Sequence, residues 1–358
     1  MRILQTIILP DELLCKYKLS YAAANFSRNL ISGGAFGKVY SLLPVHVQDD
    51  ISVEWTEDYE LVFCSWRNKG GKFTFLASLK EQYRIFKKIR KCDSLWVYNV
   101  NMLNAFLIVL LKLFKQSVSL NAIILDYTPS NQMSVKDKFL LGLINNMDGH
   151  IRLADSELFT CNNHKILPGV VPVTAGNEPL IITPQNKFLL SGALDEHIAQ
   201  TSMVLKAFAE LPNCELHITG RCDDLSLIKE YSEKYTNIIF YGLISFEDYM
   251  AIMHSVTFLL STRDESFPEN RCNFPSKIIE TLLHNRIVVS TMKYKQLDGI
   301  KYFKVDSNSE AFKSQVSEIC SKPNEDLMEY ANQGDLVAKM FSTEVWNETM
   351  KDIENNIK

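Results

Sequence analysis

Short apolar runs that alternate with longer amphipathic stretches most constrain the fold, and they are clearest in the second half of the chain. Five runs are predicted as strands: 187–191, 215–219, 238–241, 257–261 and 287–290. Four stretches between them are predicted as helices: 201–211, 225–235, 246–255 and 276–284. This alternation indicates βαβ units and a parallel sheet. Because the strands are apolar throughout, we expect helices on both faces of that sheet.

The first half has the same alternation in a less regular form. Its predicted strands are 3–9, 61–64, 94–98 and 122–125, and its predicted helices are 21–31, 80–91 and 103–114. Gly33 and Gly34 end the first of these helices. The predicted fold class is therefore α/β, with two Rossmann-like, doubly wound domains.

A break rich in proline and glycine separates the two halves. Pro168, Gly169 and Pro172 interrupt any helix or strand, and residues 174–179 continue the break. A chain of 358 residues is also too long for one ordinary core. We therefore predict one domain over 1–168 and a second over 173–340, facing each other across a cleft. A final helix over 341–358 is expected to return to the first domain.

Charge and composition exclude several classes of protein. The formal net charge of −4 lacks the basic excess of a duplex-binding protein, so no nucleic-acid partner is predicted. The eight cysteines are scattered without a C-x-x-C pair, which favours free thiols in a reducing compartment. The longest apolar stretch, 105–111, is far shorter than a bilayer span, and no secretory signal precedes the first strand. We therefore expect a cytoplasmic protein.

The segment from 261 to 280 has the residues most suited to chemistry. Arg263 lies in a polar loop after a predicted strand, and Pro275 and Ser276 begin the next helix. Backbone N–H groups at such a helix start attract anions such as a diphosphate. A cation in the first turn, Lys277, is unfavourable there unless an anion is nearby. Glu280, one turn later, is suited to accept hydrogen bonds from a ribose diol; the alternative is an ordinary solvated Lys277–Glu280 pair.

The run F-P-S-K-I-I-E-T-L-L-H-N-R-I-V-V-S-T over 274–291 resembles a segment of the family 4 retaining glycosyltransferases of the GT-B fold. Four further segments resemble the same family in the expected order: S-G-A-L-D at 191–195, L-K-A-F at 205–208, L-H-I-T-G at 216–220 and I-F-Y-G at 239–242. Residues 23–30 look like the family's first helix, and 341–346 look like the start of its last helix. Asp126 and Tyr127 are at a strand end where the family faces its cleft.

The resemblance implies a nucleotide-sugar donor and a glycan or lipid-linked acceptor. It implies that Lys277 and Arg263 lie near the donor diphosphate with help from Ser276, and that Glu280 holds the ribose. The backbone of Gly242, Leu243 and Ile244 would approach the nucleobase. Gly192 and Gly220 join the donor-binding set because both end predicted strands, beyond which ligands bind in parallel α/β sheets. The implied reaction transfers a hexose-type sugar with retention, in surface polysaccharide assembly.

Several positions depart from the family pattern, among them Asn285 or Arg286 in place of the usual glycine before the last strand and Ile287 in place of the usual proline. Cys272 stands where the first glutamate of the E-x7-E pattern is expected. The arginine and lysine that the family usually has after the first strand of this domain are missing, and Ala193 and His197 stand near their places. These departures motivate a second hypothesis, a non-catalytic GT-B subunit that binds glycan or supports an active transferase. A sugar-nucleotide epimerase on the same general fold is a third.

No metal or other cofactor is predicted for this reaction. No D-x-D signature follows a strand, and no histidine pair has metal-ligand spacing. Charge on the leaving diphosphate would instead be stabilised by Lys277 and Arg263. The sequence also lacks G-x-G-x-x-G after its first strand and G-x-S-x-G throughout, which argues against a dehydrogenase and an α/β-hydrolase.

A basic cluster in the first half has two interpretations. Its members are Arg84, Lys87, Lys88, Arg90 and Lys91, beside apolar Ile85, Phe86 and Ile89. One interpretation is docking on anionic lipid at the inner face of the plasma membrane, where a lipid-linked acceptor resides. The other is a solvated helix face.

Overall fold

The computed structural model describes residues 1–17, 19, 21–42, 54–55, 59–64, 72–91, 93–115, 117–125, 133–172 and 186–356. Asp126, Tyr127 and the predicted break at 174–179 lie outside these residues. The chain divides into two compact units. Unit 1 comprises Met1–Val173, Cys272–Phe274 and Phe341–Lys358, and unit 2 comprises Thr174–Arg271 and Pro275–Met340. Across the described ranges, every helix is too short or too polar to cross a bilayer.

Unit 1 is built on a mainly parallel sheet. In chain order its elements are β1 (Arg2–Thr6), α1 (Asp11–Lys16), α2 (Tyr21–Ser32), β2 (Lys38–Leu42), β3 (Glu54–Trp55), β4 (Glu60–Cys64), α3 (Lys72–Lys88), β5 (Ser94–Tyr98), α4 (Ala105–Phe114), β6 (Ser119–Ile124), α5 (Val135–Asn145), β7 (Gly149–Arg152) and β8 (His164–Ile166). The strand order among the described residues is β3-β4-β2-β1-β5-β6-β7-β8. Among the described strands of this sheet, only the edge pair β3–β4 is antiparallel.

The second half of the chain contains the other sheet. Its elements are β9 (Lys187–Ala193), α6 (Glu196–Ala199), α7 (Thr201–Ala209), β10 (Glu215–Arg221), α8 (Ser226–Lys234), β11 (Ile238–Phe240), α9 (Phe246–Ser255), β12 (Phe258–Ser261), α10 (Pro268–Cys272), α11 (Lys277–Leu283), β13 (Ile287–Ser290), β14 (Phe303–Lys304), α12 (Ser309–Ser321), α13 (Asn324–Met328), α14 (Gly334–Phe341) and α15 (Thr343–Asn355). The strand order is β11-β10-β9-β12-β13-β14. Counted from β9 this is 3-2-1-4-5-6, the Rossmann order.

The central strand β9 is buried on both faces. Phe188 and Leu190 pack in a cluster with α7 and α12, whereas Leu189 packs in a second cluster with α9. The ring of Phe188 stacks on Phe258, with centroids 4.6 Å apart. Side chains alternate between the two faces of a strand, so a continuous apolar run satisfies both clusters. The prediction of a parallel α/β sheet with covered faces is therefore confirmed.

The predicted elements of both halves are present, and the structure adds others. Strand β7 was missed because its buried side chains include His150 and Arg152, which carry no apolar periodicity. Helix α5 was missed although its sequence contains a capping box: Ser134 accepts from the backbone N–H of Asp137 and the Asp137 carboxylate accepts from that of Ser134. Helix α3 begins at Lys72, well before the predicted start at 80.

Three glycines form a row across neighbouring strand ends in unit 2. Gly192 on β9 pairs in register with Gly220 on β10, and the Gly220 N–H donates to the Gly242 carbonyl over 3.0 Å. All three have positive φ: 108°, 146° and 72°. A Cβ on Gly220 would lie 2.0 Å from the Gly192 carbonyl oxygen. The backbones of these strands can therefore approach this closely only with glycine at 220.

The terminal helix α15 belongs to unit 1 and begins at a capped turn. Ser342 accepts from the backbone N–H of Val345. The buried Trp346 donates from its indole to the Gly169 carbonyl over 2.7 Å and contacts the ring of Phe26, 5.4 Å away. The helix is thus held by both a hydrogen bond and aromatic packing.

Near the end of α15, one carboxylate accepts four hydrogen bonds. The Glu354 oxygens accept from Arg2 at 2.9 and 2.7 Å, from Ser94 at 2.6 Å and from the Trp96 indole at 2.8 Å. Burial acts to raise the pKa of Glu354, but these donors hold it below the ordinary value. The charged form of Glu354 therefore joins α15 to β1 and β5.

The variant Glu354→Gln should lower the free energy of unfolding of unit 1 by about 2–3 kcal/mol at neutral pH. The reason is that the glutamine N–H₂ must face the Arg2 donors. All four tryptophans lie in unit 1 (Trp55, Trp66, Trp96 and Trp346), so their fluorescence during urea unfolding reports this unit. Because the folded pKa is depressed, the carboxylate stabilises the fold above the unfolded pKa and stops doing so as pH falls through the folded pKa. The difference between the two proteins should therefore shrink below about pH 4; a constant difference would contradict this assignment.

The variant Gly220→Ala should destabilise unit 2 by about 3–5 kcal/mol, since it combines a backbone angle that suits glycine with a steric clash. Gly299→Ala is the matched control. Gly299 has φ 84° but nothing within 4 Å of the added Cβ, so this variant should lose only the about 1–2 kcal/mol that a left-handed backbone angle costs a residue with a side chain. Differential scanning calorimetry measures both. Equal losses in the two variants would show that the contact with Gly192 does not matter.

Candidate functional site

The topology of unit 2 marks one sheet edge as the place for a ligand. From β9 the chain adds β10 and β11 on one side, and β12 then returns to pair with the other side of β9. Ligands of open parallel sheets bind beyond the C-terminal ends of the strands at such a switch point. The residues to inspect are therefore those at the end of β9 and those that reach it from neighbouring helices.

The ammonium group of Lys277 lies at this point. Its Nζ donates to Ser191 Oγ over 3.0 Å, and Ser191 is near the C-terminal end of β9. A Cβ on Gly192 would lie 3.4 Å from both Cε and Nζ of Lys277. The end of β9 is therefore in direct contact with a lysine that comes from α11.

Glu280 and Tyr249 complete the cluster around this lysine. The Tyr249 hydroxyl donates to Glu280 Oε2 over 3.0 Å, and Lys277 Nζ lies 4.7 Å from the centroid of the Tyr249 ring. Tyr249 is buried, and Lys277 and Glu280 are half-buried. The two charged residues are thus held by partners within the unit and are not an ordinary solvated pair. The sequence did not single out Tyr249, because its position matches the apolar face of an amphipathic helix. Ser191 was noted only as the first residue of the S-G-A-L-D segment.

Burial shifts the pKa values of all three ionisable groups. It lowers the pKa of Lys277 to about 8, although Glu280 acts to raise it. Burial also raises the pKa of Glu280, against the opposite effects of Lys277 and Tyr249. For Tyr249, burial and then the charge and hydrogen bond of Glu280 raise the pKa well above its ordinary value. Strongly shifted groups of this kind are typical of functional sites.

The predicted nucleobase loop follows β11. Gly242 accepts hydrogen bonds on its carbonyl from the Gly220 N–H at 3.0 Å and from Thr219 Oγ1 at 2.8 Å. The side chain of Leu243 is 76% exposed, whereas Ile244 packs against the cluster that contains Tyr249. The loop is therefore anchored beside the end of β10, and it shares packing with the lysine cluster through Ile244.

Arg263 is hydrogen-bonded to two residues of unit 2, Asn270 and Thr291. Its Nη1 donates to Asn270 Oδ1 over 3.4 Å, and its carbonyl accepts from Thr291 Oγ1 over 2.6 Å. Its positive charge also acts to lower the pKa of the buried Tyr294, which burial raises. Arg263 follows β12, the strand next to β9, so it is at the same sheet edge as Lys277.

The start of α11 differs from the expected capped start. Ser276 is exposed and has helical backbone angles, φ −53° and ψ −29°, and within the described chain its side chain makes no capping hydrogen bond. Pro275 and Ser276 instead accept on their carbonyls from Ile278 and Ile279. Ser276 is thus at the N-cap position, as expected, but backbone hydrogen bonds rather than its hydroxyl close the first turn.

His197, one of the positions that depart from the family pattern, has polar partners on α10. Glu269 Oε1 lies 3.9 Å from His197 Nε2, and Asn270 donates to the His197 carbonyl over 2.6 Å. Cys272, in the place of the expected glutamate, ends α10 and is half-buried. Among the residues that the structure describes, His, Cys, Asp and Glu side chains form no group of three or more that could hold a metal ion.

No protein-family model matches this sequence, and no curated protein does. Solved structures match it over nearly the whole chain. The trehalose-6-phosphate phosphatase N-terminal domain of Candida albicans has a TM-score of 0.72 at 12% identity, covering 99% of this chain and 96% of that one. A structure described as trehalose-6-phosphate from E. coli bound with UDP-2-fluoro glucose has 0.70 at 10% identity, covering 99% of each chain.

The α,α-trehalose-phosphate synthase (UDP-forming) of Burkholderia xenovorans, in complex with glucose-6-phosphate, has a TM-score of 0.69 at 11% identity, again covering 99% of each chain. At such low identity, likeness of this kind establishes the fold and not the activity. This chain has the GT-B fold over its full described length.

Proposed function

We propose that this chain is a glycosyltransferase that moves a hexose-type sugar from a nucleotide-sugar to a glycan or lipid-linked acceptor. The observation that carries the proposal is the Lys277 ammonium at the C-terminal end of β9, held by Ser191 one helical turn from Glu280. Unit 2 binds the donor and unit 1 the acceptor. Further support comes from the fold, which is shared with a structure bound to UDP-2-fluoro glucose.

Lys277 is the proposed partner of the donor diphosphate. When a nucleotide-sugar reacts, negative charge develops on the leaving diphosphate, and a cation fixed in a partly dry site stabilises that charge. Burial makes the Lys277 ammonium costly in the free protein, as its pKa of about 8 indicates. An anion next to it removes that cost. Arg263 supplies a second cation and Ser276 assists, so the proposed reaction needs no metal and no other cofactor.

Glu280 and the glycine row are the proposed contacts of the nucleoside. The Glu280 carboxylate, positioned by the Tyr249 hydroxyl, accepts hydrogen bonds from the ribose diol. Gly192 and Gly220 lie at the strand ends beyond which the donor binds, and Gly242, Leu243 and Ile244 contact the nucleobase. Membership of the family 4 retaining enzymes, retention of configuration and a role in surface polysaccharide assembly are parts of the same proposal. So is contact with the inner face of the plasma membrane, where lipid-linked acceptors reside.

A second candidate function is a non-catalytic GT-B subunit that binds glycan or supports an active transferase. Cys272 favours it, because this thiol stands in place of a carboxylate that the resembling enzymes use. Ala193 and His197, in place of an arginine and a lysine, favour it as well. The two candidates differ in one measurable property, since the enzyme must bind a nucleoside diphosphate.

The first test is binding of UDP, GDP, ADP and CDP by titration calorimetry. One of them should bind the wild-type protein. The variant Lys277→Ala should weaken the binding of that nucleotide by about 2–3 kcal/mol, roughly 30- to 150-fold in Kd, because it removes a charge-assisted contact. With the matching nucleotide-sugar, kcat/KM should fall by roughly 10²- to 10³-fold.

The matched control is Lys206→Ala, which removes an exposed lysine from α7 of the same unit and should leave binding unchanged. If no nucleotide binds the wild-type protein, the non-catalytic subunit is the better description. If a nucleotide binds equally well to both variants, the proposed position of the diphosphate is wrong.

Nucleotide binding should also depend on pH through Lys277. The free protein has a Lys277 pKa of about 8, and a bound diphosphate favours the protonated form and raises that pKa. Affinity should therefore be level below pH 8 and fall as pH rises above it, up to tenfold per pH unit. At pH 8, binding should take up about half a proton, measured by calorimetry in two buffers of different ionisation enthalpy. Lys277→Arg should abolish the uptake, because arginine stays protonated; uptake that persists in this variant would assign the proton to another group.

A further inference from the structure

The surface where α3 and α4 end carries an exposed apolar ridge, defined here as Tyr83, Phe86, Leu113 and Phe114. The Tyr83 and Phe86 rings stack with centroids 6.1 Å apart, and Phe86 meets Phe114 edge-on at 6.3 Å. Leu113 and Phe114 are 64% and 66% exposed, and Tyr83 is 44% exposed. The ridge is therefore continuous across two helices.

Of these four side chains only Phe86, which is half-buried, packs against the core of unit 1. The inward faces of the two helices already bury Ile85, Ile89, Leu107, Ile108 and Leu111. Helix α4 has the sequence A-F-L-I-V-L-L-K-L-F, with apolar residues on its outward face as well. A helix that only covers a sheet normally has a polar outer face. The exposed apolar residues therefore point to a partner outside the unit.

Positive charge surrounds the ridge. Residues 80–91 and 105–115 contain eight basic side chains and one acidic one, Glu81, in a protein with a net charge of −4. The basic residues are Lys80, Arg84, Lys87, Lys88, Arg90, Lys91, Lys112 and Lys115. Lys87 Nζ lies 4.6 Å from the Tyr83 ring centroid, and Lys115 Nζ lies 4.6 Å from that of Phe86. The charges are thus in direct contact with the aromatic rings.

Some of these cations have structural partners and others face solvent. Lys115 donates to the Phe86 carbonyl over 2.5 Å and to that of Ile89, which closes the end of α3. Lys112 pairs with Asp148 and Arg84 with Glu81. Lys87, Lys88, Arg90 and Lys91 are exposed. These four form the basic rim of the ridge.

We infer that the ridge and its basic rim dock on an anionic lipid bilayer. Aromatic and aliphatic side chains enter the interface between headgroups and acyl chains, while lysine and arginine keep their charges at the lipid phosphates. A second copy of the chain is a poor fit, because a two-fold interface through this surface would oppose like charges. A nucleic acid would use the basic rim and leave Leu113 and Phe114 unburied.

This inference names the surface through which the proposed enzyme contacts the membrane. The biological role of that contact, access to a lipid-linked acceptor, rests on the proposed function. The measurement is independent of it, because vesicle binding requires neither donor nor acceptor. Failure of nucleotide binding with intact vesicle binding would reject the transferase alone, and the reverse result would reject the docking surface alone.

The experiment is co-sedimentation of the full chain with vesicles of phosphatidylcholine, alone or mixed with phosphatidylglycerol. Binding should be at least tenfold stronger to the mixed vesicles and should weaken as salt is added. The variant Lys87→Gln/Lys88→Gln should bind roughly 25-fold more weakly, about fivefold for each charge. Leu113→Ser/Phe114→Ser should lose roughly tenfold or more through the apolar contribution.

The matched controls are on α8 of unit 2. Lys229→Gln/Lys234→Gln removes two lysines there, and Leu227→Ser removes an apolar side chain that is 36% exposed; neither should change binding. The four side chains substituted in the ridge and its basic rim are all exposed. Tryptophan fluorescence should therefore report the same unfolding transition in these variants as in the wild-type protein. Equal binding to neutral and anionic vesicles, no binding to either, or full binding by both ridge variants would overturn the inference.

Discussion

Burial of both faces of β9 is the constraint on which unit 2 depends. Phe188 and Leu190 lie in one core and Leu189 in the other, so the strand cannot slip by one residue without exchanging the two sets of contacts. Register with β10 then brings Gly192 beside Gly220. The end of the strand, where Ser191 and Gly192 meet Lys277, is consequently fixed by packing some distance away from it.

At that end the structure tolerates an unfavourable arrangement. A half-buried ammonium with a pKa near 8 lies over the Tyr249 ring, and a half-buried carboxylate with a raised pKa lies one helical turn away. Desolvation disfavours the charged form of each group, and their mutual attraction offsets this only in part. An anion next to Lys277 would offset the cost of its charge, which is the physical basis of the proposed diphosphate contact.

Unit 1 depends on different interactions. Its terminal helix is joined to β1 and β5 by Glu354, whose carboxylate accepts from Arg2, Ser94 and Trp96. On the ends of α3 and α4, apolar and basic side chains lie outward beyond what the core requires. The first feature stabilises the unit. Leu113, Phe114 and the exposed basic residues beside them lie outside the buried core, and we have proposed an external partner for them.

The sequence by itself determined the fold class and most elements, because the apolar period of each strand and helix is local: 246–255 and 287–290 were predicted at their observed bounds. It also singled out Lys277 and Glu280 by their spacing on one helix. Tertiary structure alone decided that Ser191 and Tyr249 are their partners, since these residues come from a strand and a helix far away in the sequence. It likewise decided that Ile85 and Ile89 belong to the core while Phe114 faces outward. Periodicity shows that a helix has an apolar face, but only packing against other elements settles which side chains that face buries.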